Sequence, residues 1–487
     1  MRLSFPVRIY LVALILRLVP VLLTRSMGIG LDDMFQYDML ARSLASGHGF
    51  RWYAQTDLKQ LEPYVDFDMS TAKGYDPQYG LYTSFRAPLY PTFLAIVYSF
   101  SGLDFSRFLA ARLAQVFLLG APLAPLTYWV AKQLSLFPDG DTRKRKEETF
   151  AQISAWVVAC YPMLLVYPLG LGTENPFFIL LLASFLFLLK SIEVPTFLNF
   201  FLAGMFLALT TLTRSVILPF AGLAILYLIY LHRKQALLTG LTFTLLILPW
   251  VVRNSFLHHK LVGVETSMGY NLYLGYHPQG NGSFVFGPSL DLLSIMDDAE
   301  RDEIGTQKAL GFIRGQPERF LPLAVNRLGY FFALDKRVLM YFYSNNILGF
   351  IPKPALLLLA GLLLLPFVLI SISAMGGAAL VKWNPRTALL FLLLFSYTLP
   401  HVLILAEDRF HLAIIPYMAI LASYFWISGW GQLTEHWRGS MQGRLALLAA
   451  CLAVFLLVAN WNAELRRDAD KISALLGPNG NQTHFPY

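Results

Sequence analysis

Charge is what this sequence has least of. Only 14% of its 487 residues are Asp, Glu, Lys or Arg, against 56% hydrophobic. A soluble domain of this size carries nearer a quarter charged residues, so a soluble globular fold is excluded. Cysteine is almost absent. The two present, Cys160 and Cys451, both lie inside apolar runs, which leaves no disulfide framework and no zinc-type cluster. There is also no G-x-x-x-x-G-K-[ST] phosphate loop, no H-E-x-x-H, no low-complexity linker and no internal repeat. The formal charge of +8 is no nucleic-acid footprint, because its Lys and Arg sit in short loops between apolar runs. No nucleic-acid partner is expected.

What is present is length and apolarity. Runs of about 18 to 20 apolar residues recur along the chain, each enough to cross a bilayer as a helix. The spans read as 7–24, 107–132, 150–168, 176–191, 196–213, 216–231, 236–252, 355–380, 387–405, 410–430 and 444–460. The expected fold is therefore an all-α integral membrane protein of about eleven transmembrane helices. Its membrane domain covers 1–460, and 461–487 forms a short outer tail. The N-terminal run reads as an uncleaved anchor, since an Arg interrupts it and no small-residue cleavage site follows.

Basic clusters set the orientation. RKRK at 143–146, HRK at 232–234, Lys382 with Arg386, and His436 to Arg444 fall at alternate helix ends. Placing them in the cytoplasm puts the N-terminus inside and leaves two large outer loops, 25–106 and 253–354. Two apolar segments do not fit as spans. FRAPLYPTFLAIVYSFSG (85–102) is short and Pro-broken, and counting it as a crossing would move RKRK outside. The segment 320–342 carries charges within its apolar pattern. Both read as interfacial or re-entrant. After Asp33 the apolar positions Met34, Tyr37, Leu40, Ala41 and Leu44 follow helical spacing up to Gly47, which predicts a surface helix.

Four polar clusters share the outer side: Asp32 with Asp33, Arg86, Glu174, and Glu407-Asp408-Arg409 with His411. Ionisable groups near a bilayer are costly unless solvated or paired, which makes them functional candidates. Carboxylates supply a general base, and Arg86 and Arg409 suit an anionic phosphate. Each cluster also has a plainer reading. Asp33 and Gln36 have the D-x-x-Q spacing of a capping box, and either Asp can cap the surface helix. Glu174-Asn175-Pro176 is a good helix start. Arg86 can snorkel to headgroups, and Glu407-Asp408-Arg409 can close a turn. GYNLYLGYHPQGNGSF (269–284) reads as a structured turn region able to stack on a sugar, or as a glycine-rich hairpin. His258-His259 reads as a surface pair.

The ordered set of motifs resembles the membrane glycosyltransferases of the GT-C fold, near the protein O-mannosyltransferases and the aminoarabinose transferase of lipid A. D32-D33 after the first helix is similar to that family's first acidic motif. R86-A-P-L-Y-P is similar to its basic residue before a Pro-rich stretch, and TENPFF (173–178) to its second acidic motif. LTRS (212–215) and E407-D-R-F-H-L-A-I-I-P416 resemble later basic and E-x-R-type elements. Asp33 stands where Glu is common, and Glu174 where Asp is common.

The resemblance implies a GT-C helix bundle that transfers a hexosyl or pentosyl group. The donor would be a polyprenyl-phosphate sugar and the acceptor a hydroxyl on a glycan, lipid or protein, with inversion at the outer face of a bacterial inner membrane. Asp32, Asp33 and Glu174 would be catalytic, with Asp32 as base. Arg86, Arg214 and Arg409 would hold the donor phosphate, and Glu407, His411, Tyr270 and Asn271 would line the substrate. No cofactor is required and no metal site is assigned, although the carboxylates are compatible with a divalent ion. A transporter or flippase of lipid-linked sugar, or a polysaccharide polymerase or ligase, is the alternative.

Overall fold

The computed structural model describes residues 3–65, 67–137 and 142–485. Helices dominate them, and the one paired sheet is two residues per strand, with Arg51 opposite Tyr82. Among the described residues eight stretches are long and apolar enough to cross a membrane, nine if the bent pair Arg143–Cys160 and Pro162–Leu169 is one crossing. The eleven expected spans all correspond to helices, but not all meet that length. Phe197–Thr211 has only 15 residues, about 22 Å of rise. Ser215–His258 is a single 44-residue stretch, about 66 Å if straight and twice a bilayer core. It breaks at Arg233, whose φ of 48° no helix accommodates, into Leu218–His232 and Leu237–His258.

Two helices form the centre of the bundle. The apolar window of Phe410–Gly439 is 83% buried and that of Glu174–Glu193 72%, whereas Met441–Arg467 at the periphery is 11% buried. Both central helices begin at the polar clusters. At the other end, Glu193 lies 3.7 Å from Arg386 in one basic turn, and the second helix runs to His436 and Arg438 in another. The acidic and arginine clusters therefore lie at the end of the bundle opposite the basic loops.

Buried arginines stitch the broken helices. The helix Arg143–Cys160 stops where Tyr161 turns extended ahead of Pro162, leaving carbonyls without partners. Arg17, fully buried in the first helix, donates to Val158 and Ala159 O at 3.1 Å each. This intramembrane arginine is thus a structural tie.

The surface helix forms as expected over Asp33–Ala45. Its buried Asp38 accepts from Arg42, Arg107 and Tyr98 at 2.8–3.0 Å, which fixes it to the neighbouring helices. The segment 85–102 becomes Leu89–Ser101, about 20 Å long and packed against that helix, shorter than a bilayer core. In 320–342 the helix Phe320–Phe331 buries Leu323, Arg327 and Phe331 at four-residue spacing and exposes Leu321, Val325 and Leu328.

Three expectations change. Residues 268–276 are a helix, Met268–Tyr276, not a turn or hairpin. There Gly269 and Gly275 allow close approach, because a Cβ would meet Asp302 O at 1.8 Å and Ile404 O at 1.9 Å. The last span is longer than expected and runs through Arg467, with Trp461 and Glu464 buried. The expected free tail then folds back, with Leu475 packed against Leu339 and Tyr343.

Candidate active site

Asp32 is the N-cap of the surface helix: its Oδ1 accepts from the Met34 amide at 2.9 Å. Asp33 therefore does not cap, which corrects the capping-box reading. Gln36 faces sideways, accepting from Arg86 Nε at 2.9 Å and Nη2 at 2.6 Å. The D-x-x-Q pair works as a two-point holder for one guanidinium, since Arg86 Nη2 also donates to Asp33 Oδ1.

A chain of alternating charge extends from there. Asp33 Oδ2 is 3.5 Å from Arg409 Nη2, and Arg409 Nη1 is 3.7 Å from Glu174 Oε1. Glu174 is held more tightly by Arg214 Nη1 at 2.7 Å. Arg409 Nε is 3.0 Å from Glu407 Oε2, yet it is buried without a properly directed hydrogen bond. Arg337 completes the set, with Nη2 2.8 Å from Glu407 and Nε 2.5 Å from Asp408. Four arginines thus alternate with four carboxylates, and Arg409 is the node that faces three of them loosely.

The two adjacent aspartates are driven apart electrostatically. Burial alone would raise the Asp33 carboxyl, but Arg86 and Arg409 outweigh it and hold it down at about 2. Desolvation by the surrounding protein, followed by the charge of Asp33, pushes Asp32 above the ordinary carboxylate range. Burial also drives the Tyr37 hydroxyl up to about 12, so it stays protonated. Asp32 itself makes no ion pair within 4 Å among the described residues; part of its surface reaches solvent while the protein packed around it desolvates the carboxyl.

The remaining sequence candidates divide. Tyr270 borders the cluster, its ring edge-on to Phe85 at 5.6 Å and its hydroxyl donating to Ser289 O at 2.9 Å. Asn271 follows it on the same helix, and no side-chain hydrogen bond links it to the cluster among the described residues. His411 is a correction. It is fully buried, 3.0 Å from Asp335 and 2.7 Å from Phe331 O, and stacked on Phe367. Two residues after Arg409, it turns into the core and holds the helix start. Its position beside an exposed motif hid this, because the turn Phe410–Ile414 rotates successive side chains by a third of a circle.

Sequence reasoning missed Arg337, Arg112 and Gln115. Arg112 is fully buried and donates to Met27 O at 2.5 Å, Gly28 O at 2.7 Å and Leu169 O at 2.9 Å. Gln115 donates to Pro168 O at 2.9 Å and accepts from Tyr90 at 2.7 Å. One face of one helix therefore ties the loops that precede Asp32 and Glu174 to the helix that follows Arg86. The available signal was an arginine and a glutamine three residues apart inside an otherwise apolar span.

Arg86 is fixed from its own side. Thr83 Oγ1 and the Ser84 amide both donate to Asp298 Oδ2, at 2.5 and 2.8 Å. Ser84 Oγ lies 2.7 Å from His258 Nε2, and His258 Nδ1 lies 3.2 Å from Asp297. The order Ser, His, Asp suggests a nucleophilic triad, but Ser84 is fully buried, so no substrate reaches it and the arrangement is a clamp. His258 is thus an internal ligand of the loop, not half of a surface pair. Among the described residues no three His, Cys, Asp or Glu side chains are grouped to hold a metal ion.

No family model and no curated protein matches this chain. Among solved structures the chain is similar to ArnT from Cupriavidus metallidurans, whose crystal structure is titled as bound to undecaprenyl phosphate. The identity is 12%, over 88% of this chain and 79% of that one, with a TM-score of 0.37. A likeness this loose carries no inference about activity.

Proposed function

We propose that this protein is a membrane glycosyltransferase of the GT-C type. It takes a hexosyl or pentosyl group from a polyprenyl-phosphate donor and passes it to a hydroxyl, on the membrane face opposite the basic loops. The observation that carries the reading is Arg409: a guanidinium facing three carboxylates at 3.0–3.7 Å, its Nε buried and unsatisfied, and one of those carboxylates, Asp33, adjacent in the chain to the unpaired Asp32. A buried donor without a partner costs about 1–3 kcal/mol, and a phosphate oxygen entering beside it removes that cost. Undecaprenyl phosphate is a ligand of this chemical class. The order of the motifs along the sequence supports the same reading.

The reaction follows from the charges. Asp32 accepts the proton of the acceptor hydroxyl as its oxygen attacks the anomeric carbon. The bond from that carbon to the phosphate oxygen breaks, and the phosphate leaves with the electron pair. The configuration inverts in one step. Asp32 suits the base because its carboxyl is raised, and a positioned base supplies roughly 10²- to 10⁴-fold. Asp33 is too weak a base at about 2, and serves to orient Arg86 and Arg409. Arg86, Arg214, Arg337 and Arg409 stabilise the charge that develops on the departing phosphate. The face carrying this site would be the outer face of a bacterial inner membrane, by the distribution of Lys and Arg in the loops.

The test is incubation of the purified protein with a panel of polyprenyl-phosphate sugars and membrane acceptors, followed by mass spectrometry. Free polyprenyl phosphate should appear in step with a glycosylated lipid, glycan or protein, and Asp32→Asn should stop both. Movement of intact lipid-linked sugar across vesicles, without cleavage, would instead identify a transporter and overturn the proposal.

A further inference from the structure

The four basic clusters that orient the chain would need only to lie on one face, each in its own loop. Three of them converge instead. The start of helix Arg143–Cys160, the turn holding Lys382, and the hairpin around His436 border a half-open cavity of about 600 Å³. Arg143, Lys146, Lys382 and His436 line it, with Gln432 as a further donor and Glu435 as the acidic member. The cavity exists because the central helix breaks at Gly429, whose φ of 70° turns residues 430–439 away from the bundle axis.

Among the described lining residues the cations outnumber the single carboxylate. Arg143 is engaged by Glu147 at 3.1 Å and by Ser135 at 2.6 Å. Lys146 and Lys382 have no ion-pair partner among the described residues. Two ammonium groups without an ion-pair partner among the described residues, a helix N-terminus and an imidazole face one half-open space. Such a set recognises a phosphate.

Its depth is marked by tryptophan. Trp383 follows Lys382 directly, and Trp430 and Trp437 bracket the segment Gln432–His436. All three are exposed. Exposed tryptophans gather at the headgroup level of a bilayer, where one end of the indole is apolar and the other wet.

We infer that this cavity is a binding site for the phosphate headgroup of an anionic phospholipid, drawn from the leaflet on the side of the basic loops. It lies at the opposite end of the bundle from the arginine–carboxylate cluster and does not depend on the reaction proposed there.

The full-length protein, reconstituted in nanodiscs of equal parts phosphatidylglycerol and phosphatidylcholine, is extracted gently and its retained lipid weighed by native mass spectrometry. Phosphatidylglycerol should be retained preferentially. The pair Lys146→Gln with Lys382→Gln should lower its retention roughly twenty-five-fold, as about fivefold per basic side chain near the surface requires. The pair Lys144→Gln with Arg145→Gln removes equal charge from exposed positions that do not line the cavity, and should leave retention unchanged. Equal loss in both pairs would mean diffuse surface attraction, and would overturn the site. So would the absence of any preference in the wild type. A third arm titrates inorganic phosphate into the delipidated protein. Saturable binding that the Lys146/Lys382 pair abolishes, without lipid preference, would assign the cavity to soluble phosphate and overturn the lipid source. Thermal unfolding of each variant should match the wild type, since Lys146 and Lys382 are exposed.

Discussion

The two ends of the bundle handle charge in opposite ways. At one end, four arginines and four carboxylates alternate within 4 Å of one another and neutralise each other. At the other, two lysines, one arginine and one histidine line a cavity whose described lining holds a single acid, Glu435. The difference lies partly in the side chains. A guanidinium offers several fixed donors and bridges two carboxylates, whereas an ammonium stays hydrated on a flexible stem. The arginine end is thus preorganised and locally neutral, suited to charge that appears during a reaction. The lysine end carries standing positive charge, suited to a ligand already anionic.

The largest effect that would break this comparison is loss of the unpaired aspartate. Asp32→Asn should reduce transfer by roughly 10²- to 10⁴-fold while the protein stays folded, because Asn caps a helix as well as Asp does. Steady-state rates with thermal unfolding of the same preparation check this, and an unchanged rate removes the base assignment. Next is Asp33→Asn, which leaves Arg86 and Arg409 without their shared partner. A higher donor KM, with the acceptor KM little changed, is expected. Equal shifts in both would mean that Asp33 does not act through the donor arginines.

Arg112→Ala probes the scaffold beneath. It strands one buried carbonyl, Leu169 O, and two part-buried ones, Met27 O and Gly28 O, the buried one costing about 1–3 kcal/mol unless water enters. Unfolding in detergent should occur several degrees lower, and transfer should fall through kcat with donor KM retained. Arg112→Lys should recover part of both, and loss of donor binding alone would point to a different role.

A smaller effect lies in pH. The raised Asp32 must be ionised to act as base, so activity should fall as the medium is acidified through a pH above the ordinary carboxylate range. Asp33 has the opposite sign. Its depressed carboxyl contributes stability that is complete above the unfolded value near 3.8 and is lost as pH falls through about 2. Activity should therefore disappear at a pH where the fold persists. Coincident loss, followed by rate and by tryptophan fluorescence, would contradict the divided pair.

The smallest perturbation concerns orientation. In a background lacking Cys160 and Cys451, a cysteine at position 145 should resist an impermeant thiol reagent added outside cells, and ready labelling would invert the topology.

The helices themselves were legible along the chain, because burial in lipid demands apolar runs of fixed length and internal hydrogen bonding, and both are local properties. So was the shared face of Asp32, Asp33, Arg86, Glu174, Arg214 and Arg409, which follows from counting crossings. Pairing was not legible. Whether Asp32 or Asp33 caps the helix turns on one peptide rotation, and His411 leaves the site because a tight turn points it at Asp335, 76 residues away. Arg337, Arg112 and Gln115 donate to partners 53 to 85 residues away in sequence.

By itself, then, the sequence determined that this is a helical membrane protein, which end of its helices carries the acidic residues, and which carries the lysines. Only the tertiary structure decided which arginine meets which carboxylate. The physical reason is range: hydrophobicity acts residue by residue along the chain, whereas a buried ion pair exists only where packing brings two distant side chains within about 4 Å.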